Sequence, residues 1–283
     1  MRNPVRTRRR LLAGAVLPLL LSLLVACQSS EDPADQSASA EQSTSASAED
    51  TPSAETGSKA DGKLDTRTFL PALKDAVKGN KSVHIAMDLD AAGQALTAEG
   101  DARFDDRNPA MDLTMSGDVF AGARVQMRLV GGLVYMSLPP MTPPGKFIKI
   151  DPKDSKDPLA AGIGDLTSQF DPLRTFDAFD AGLRKVKYVG EETVSGEKLD
   201  KYRVSVDFEA ASKAQGQPAP PGLPKIVAYG ISIDEENLMR VIEFHLGQQV
   251  SMRMTASRWG EPVKVTVPPA GKIAKRPPQL MRR

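Results

Sequence analysis

The chain has 283 residues with 37 basic and 36 acidic side chains, a single cysteine and only 5% aromatic residues. Its net charge of +1 falls to −4 without the five arginines among the first ten residues, which leaves no surplus of cations for a phosphate backbone and excludes nucleic acid as an expected partner. One cysteine cannot close an internal disulfide, so a folded domain must rest on its apolar core.

Arg2, Arg6, Arg8, Arg9 and Arg10 precede an uncharged run from Leu11 to Leu24, and small Ala26 comes directly before Cys27. This is the three-part pattern of an export signal. Gly14 and Pro18 interrupt the run, which is shorter than the ~20 apolar residues of a membrane-crossing helix and ends in a polar tract. Leu24-Val25-Ala26-Cys27 resembles the lipobox of bacterial prolipoproteins. That resemblance implies a diacylglyceryl group on the Cys27 sulfur, cleavage just before it, and a protein held by its lipid on the extracytoplasmic face of the cell membrane. The basic segment fits the general secretory and the twin-arginine routes equally.

Residues 1–26 are thus expected to be a signal peptide and 27–62 a tether: Ser, Ala, Glu, Asp, Gln, Thr and Pro without aromatics cannot bury enough surface to repay ordering. A flexible chain of about 35 residues has an r.m.s. span of roughly 30 to 35 Å. Residues 63–270 are expected to form one domain and 271–283, with Pro277-Pro278, a second loose end.

Asp65 or Thr66 is placed to cap a helix with Pro71 in its first turn, Phe69, Leu70, Leu73 and Val77 on one face, and Gly79-Asn80 at its end. The apolar period then changes from 3.6 to 2. Strands are predicted at 82–90, 95–104, 110–117, 123–130, 133–138 and 146–150, with turn signals at Ala92-Gly93, 105–109 and Gly131-Gly132. A short helix is expected over 159–170. A longer one starts at Asp171-Pro172 with Leu173, Phe176, Phe179 and Leu183 on one face. Further strands are predicted at 187–193, 199–208, 225–233, 240–246, 250–257 and 263–267, with a Pro-rich loop at 217–224. The order helix, strands, helices, strands predicts an α+β fold in which one large antiparallel sheet curls over a few helices as a half-barrel.

Met87, Met111, Met115, Met127, Met136, Met252 and Met254 all fall on the apolar phase of their strands, beside Ile85, Leu89, Leu113, Val125 and Leu129. Flexible thioethers fill irregular space and recur at adaptable apolar binding surfaces. Any one of these methionines reads as ordinary core. Together, with aromatic packers scarce, they predict an apolar cavity on the inner face of the sheet, and these twelve side chains are its expected lining.

Chemistry by side chains lacks its parts. His84 and His245 lie on the polar phase of strands with no partner at metal-ligand spacing, and are expected to be exposed. There is no nucleophile elbow, zinc-protease motif or phosphate loop, and Gly162-Ile163-Gly164 lacks the third glycine of a dinucleotide signature. The expectation is a non-enzymatic protein with no cofactor and no metal.

Val130 to Tyr135 (Val-Gly-Gly-Leu-Val-Tyr), Gly145 to Ile150 (Gly-Lys-Phe-Ile-Lys-Ile), Val189 to Gly196 with Tyr202 and Val206-Asp207, and Arg258 to Val263 followed by Val265, Val267 and Pro268 form an ordered set behind the lipobox and tether. Over roughly Leu64 to Pro269 the chain resembles the LppX/LprG family of actinobacterial lipoproteins, within the wider LolA-like group. The resemblance implies a half-barrel sheet over helices, an apolar cavity between them, and binding or carriage of an acylated lipid or lipoglycan across the envelope. The same architecture also serves as a filled scaffold whose loops, such as 217–224, bind an envelope protein. Cys27 is the one site residue that the resemblance carries over.

Overall fold

The computed structural model describes residues 62–105, 109–154, 156–157, 159–160, 172–216, 224–247 and 250–276, so Cys27, the tether and most of the expected 159–170 helix lie outside the described residues. The chain opens with α1 (Phe69–Gly79), whose Phe69, Leu70, Leu73 and Val77 are buried as the sequence spacing predicts. Asp65 accepts hydrogen bonds from the amides of Arg67 and Thr68 at 2.9 Å and so ties off the turn before the helix. At the other end, Asn80 donates its side-chain amide to the Ala76 carbonyl.

β1 (Ser82–Ala91), β2 (Gln94–Arg103), β3 (Ala110–Gly117), β4 (Val125–Val130), β5 (Leu133–Ser137) and β6 (Ile148–Ile150) then run as one meander. α2 (Pro172–Gly182) brings the chain to the far side, where β7 (Leu183–Val194), β8 (Glu197–Asp207), β9 (Ile226–Ile233), β10 (Met239–Leu246) and β11 (Val250–Ser257) form a second meander; α3 (Phe208–Ala214) stands between β8 and β9. All pairings between strands are antiparallel. The order β6-β5-β4-β3-β2-β1-β11-β10-β9-β8-β7 makes a single open sheet of eleven strands. The meanders join at its centre, where Met87 pairs with Met254 and Leu89 with Met252. This is the expected α+β curved sheet over helices.

Four details differ from the sequence reading. Leu183, expected on the second helix, opens β7 opposite Val206. Gly182 makes that abrupt change possible, because a Cβ there would come within 2.6 Å of the Asp207 carbonyl oxygen. α3 is an addition: Asp207 accepts from the Ala210 amide at 3.1 Å, so the carboxylate that ends β8 also caps the next helix.

The other two concern the end of the chain. Val263–Val267 is not a strand despite its alternation, because the β1 and β11 edges it follows are already paired to each other. Instead, residues 258–276 run as a strap across the outside of the first meander. The Gly260 amide donates to the Ser82 carbonyl, Ser82 Oγ to the Glu261 carbonyl and Arg103 to the Val263 carbonyl. Phe147 and Ile273 form a parallel bridge at the β6 edge. Arg276 donates to the Lys149 carbonyl and pairs with the Asp157 carboxylate, whose side chain is 2% exposed. Residues 271–276, expected to belong to a loose end, are therefore fastened to the domain.

Candidate apolar binding site

A cavity of about 60 Å³ lies between the helices and the second meander. α1 contributes Phe69, Leu70 and Leu73 and α2 contributes Phe176 and Phe179; the floor is Tyr229 and Ile231 of β9, Met239 and Ile242 of β10, and Met252 and Met254 of β11. Each floor residue lies on the inward phase of its strand, and Leu70 and Leu73 lie on the buried stripe of α1. Helical and strand periods thus converge on one volume.

The aromatic side chains hold the walls apart. Phe179 meets the Tyr229 ring with centroids 5.3 Å apart, and Tyr229 meets Phe244 edge-on at 5.5 Å. Burial pushes the Tyr229 phenol up to about 12, so it is neutral at any physiological pH. The lining then offers hydrocarbon, thioether and aromatic surface and no formal charge. Such a void is suited to an apolar group and is poor for ions or sugars. Its volume is well below the about 300–1,000 Å³ of the pockets that hold whole small ligands.

Of the side chains expected to line a cavity, Met252 and Met254 border this one. Met111, Met115, Met127, Leu129 and Val125 are instead core residues of the first meander, 1–3% exposed, and Met87, Leu89 and Leu113 belong to the same core at 6–8%. Ile85 and Met136 are partly buried against the same core. The methionine phase identified the inner face correctly, and the open volume lies towards its other half. Met239 went unread because it immediately precedes the predicted strand start at 240. Phe176 and Phe179 were legible only as a helix face, with nothing in the sequence to say which strands they would meet.

His84 is also placed differently. Its side chain is 20% exposed, with Nδ1 2.8 Å from Asp101 and Nε2 3.4 Å from Glu99, and Arg258 bonds both His84 and Asp101. The cluster fastens the root of the strap. It sits beside an open polar groove of about 610 Å³ on the outer face, bordered by Asp88, Asp112, Gln126 and Lys264. His245 is exposed as expected. Among the described residues no three His, Cys, Asp or Glu side chains are grouped to hold a metal, and no helix is long and apolar enough to cross a membrane.

No family model and no curated protein matches the sequence. Solved structures do. LprF from Mycobacterium bovis superposes with a TM-score of 0.53 at 15% identity, over 72% of this chain and 96% of that one. The chain has the LprF fold. The lipoprotein LppX from Mycobacterium tuberculosis aligns at 19% identity over 71% of this chain and 98% of that one, with a TM-score of 0.48. A LolA superfamily protein from Nitrosomonas europaea aligns at 8% identity over 78% and 99%, with a TM-score of 0.21. At such identities the LprF likeness speaks for architecture alone: a curved antiparallel sheet over helices.

Proposed function

We propose that this protein is an exported, lipid-anchored binding protein that takes an acyl chain of a lipid or lipoglycan between its helices and its second meander, and that it acts without catalysis. The uncharged cavity under α1 and α2 carries this reading. A hydrocarbon chain gains ~0.8 kcal/mol for each buried methylene, so a C16 chain has of order 10 kcal/mol gross to offset the cost of ordering it. In the closed form the cavity admits the end of such a chain and no more. Binding therefore requires the helices to move away from Met239, Met252 and Met254, whose unbranched side chains can re-pack along a ligand of variable length. The tether would keep the domain within reach of the bilayer that supplies the lipid.

Native mass spectrometry of the exported domain tests this. Bound lipid mass is expected, and it should fall when Leu73→Trp fills the void without adding charge, while the melting temperature is kept. A domain that stays free of lipid in every preparation rules the reading out. The tight packing of Met111, Met115 and Met127 favours a second reading, a filled scaffold that binds an envelope protein. Crosslinking of the intact chain in its envelope to one protein partner, with no lipid mass, would select it.

A further inference from the structure

Strand direction sorts the loops into two rims. The upper rim carries the β1–β2 turn, the β3–β4 and β5–β6 loops, the β10–β11 turn and the start of β9; the lower rim carries the β4–β5 and β7–β8 turns and Trp259. Among the described residues five large apolar side chains are exposed, and three of them, Val119 at 50%, Met141 at 42% and Ile226 at 46%, stand on the upper rim. The other two, Val189 at 47% and Val267 at 51%, lie within β7 and in the strap. Val119 and Met141 occupy neighbouring loops, and both loops are internally braced. In the first, the Ala121 amide donates to the Asp118 carbonyl and the Ala123 amide to the Phe120 carbonyl, each at 2.9 Å. In the second, buried Thr142 accepts at Oγ1 from the Leu138 amide and donates its own amide to the Leu138 carbonyl. Two braced turns thus hold apolar side chains into water at one end of the sheet.

We infer that the upper rim is a membrane-docking edge, with Val119 and Met141 entering the outer boundary of the bilayer and Ile226 assisting across the sheet. Exposed Arg124, in the Val119 loop, and Lys225, beside Ile226, suit anionic headgroups; the acids of this rim, Asp90, Asp118 and Asp207, each accept a backbone amide, from Gly93, Ala95 and Ala210. The chain outside the fold fits this orientation. It enters at the lower rim, where Lys63 pairs with Asp200 near the start of β8. A strand of ten residues is about 33 Å long, and the 35 residues from Cys27 to Asp61 can span up to ~120 Å, so an anchor at Cys27 permits the upper rim to face the membrane. Anchoring also raises the local concentration of bilayer surface, so a weak insertion suffices. The inference rests on the anchored reading, not on the cavity.

The test uses the chain from Cys27 onward, its thiol coupled to a maleimide phospholipid in vesicles of phosphatidylcholine and phosphatidylglycerol with brominated acyl chains. Coupling makes the result independent of natural lipidation. Trp259, the single tryptophan, reports from the lower rim. Val119→Trp and Met141→Trp should add emission that is lost in brominated vesicles, while Ser195→Trp, on the β7–β8 turn, should add emission that is not. Undiminished emission at both 119 and 141, or equal loss at all three positions, overturns the docking edge. Undiminished emission together with a dimer mass for the anchored chain would assign the rim to a second copy instead.

Discussion

The two meanders use one strand pattern to build halves of different character. In the first, Met111, Met127 and Leu129 are each 1% exposed, and the strap, closed by the Arg276–Asp157 pair, covers part of the outer face. In the second, Met252, Ile242 and Met254 border a void. The outer face of that half is knitted instead by charge: Lys201 bridges Glu192 and Glu243, Ser232 donates to Glu192, and Arg253 pairs with Glu243. This network crosses β7 to β11 without occupying the interior. On the proposed reading, the half that opens on the inside is held from the outside, and the filled half is its fixed frame.

The largest expected effect separates the halves directly. Met127→Glu would place a carboxylate in a filled core, with a loss of about 4 kcal/mol or more, enough to unfold a marginal domain. Loss of the cooperative urea transition is the measurement. Arg276→Ala comes next: it leaves the Asp157 carboxylate buried without its cation, and breaking such a pair costs about 3 kcal/mol. The urea midpoint should fall accordingly, and an unchanged midpoint would mean the strap is not a brace. Smaller, and unequal between the halves, are the filling substitutions. Ala98→Leu, in the packed first meander, should cost about 1–3 kcal/mol. Ile242→Phe, at the void, should gain or lose less than ~1 kcal/mol in thermal melts and lower lipid uptake. Equal losses from both would erase the distinction.

Period and turn chemistry made most of the fold legible. Alternation located the strands of both meanders, and Phe69, Leu70, Leu73 and Val77 announced α1. The failures share a cause, which is that local pattern does not say what an edge already holds. Val263, Val265 and Val267 alternate like a strand, yet β11 and β1, the strands beside which they emerge, are paired on both sides. Residues 208–214 follow a strand pattern that runs into Phe208, and only the placement of Asp207, with Glu209 in the first turn, hints at a helix. The site was half legible. Phase assigned Met252 and Met254 to the inner face, whereas the position of the void depends on how far Phe176 and Phe179 hold α2 from β9, a distance set across more than 45 residues of chain.

A comparably small predicted effect bears on the charged network. Burial alone would raise the Glu192 carboxyl, but hydrogen bonds from Ser232 and Lys201 outweigh it and hold the group below its ordinary range. Lys201 is raised chiefly by its bond to Glu243 and further by Glu192, against an opposing burial effect. A carboxyl depressed in the folded state contributes stability that is present above its unfolded value of about 4.3 and is lost as pH falls through the lower folded value. A lysine raised in the folded state contributes stability that is complete below about 10.4 and fades as pH rises through the higher folded value. Both contributions are therefore at full strength near neutrality. Because these groups remain partly solvated, the total should be modest, about 1 kcal/mol. Lys201→Met should flatten the acid limb of the stability profile and hasten amide exchange in β8 to β10, leaving β3 and β4 unchanged. A uniform change across both meanders would show instead that the halves open as one unit, and the division between frame and moving wall would not survive it.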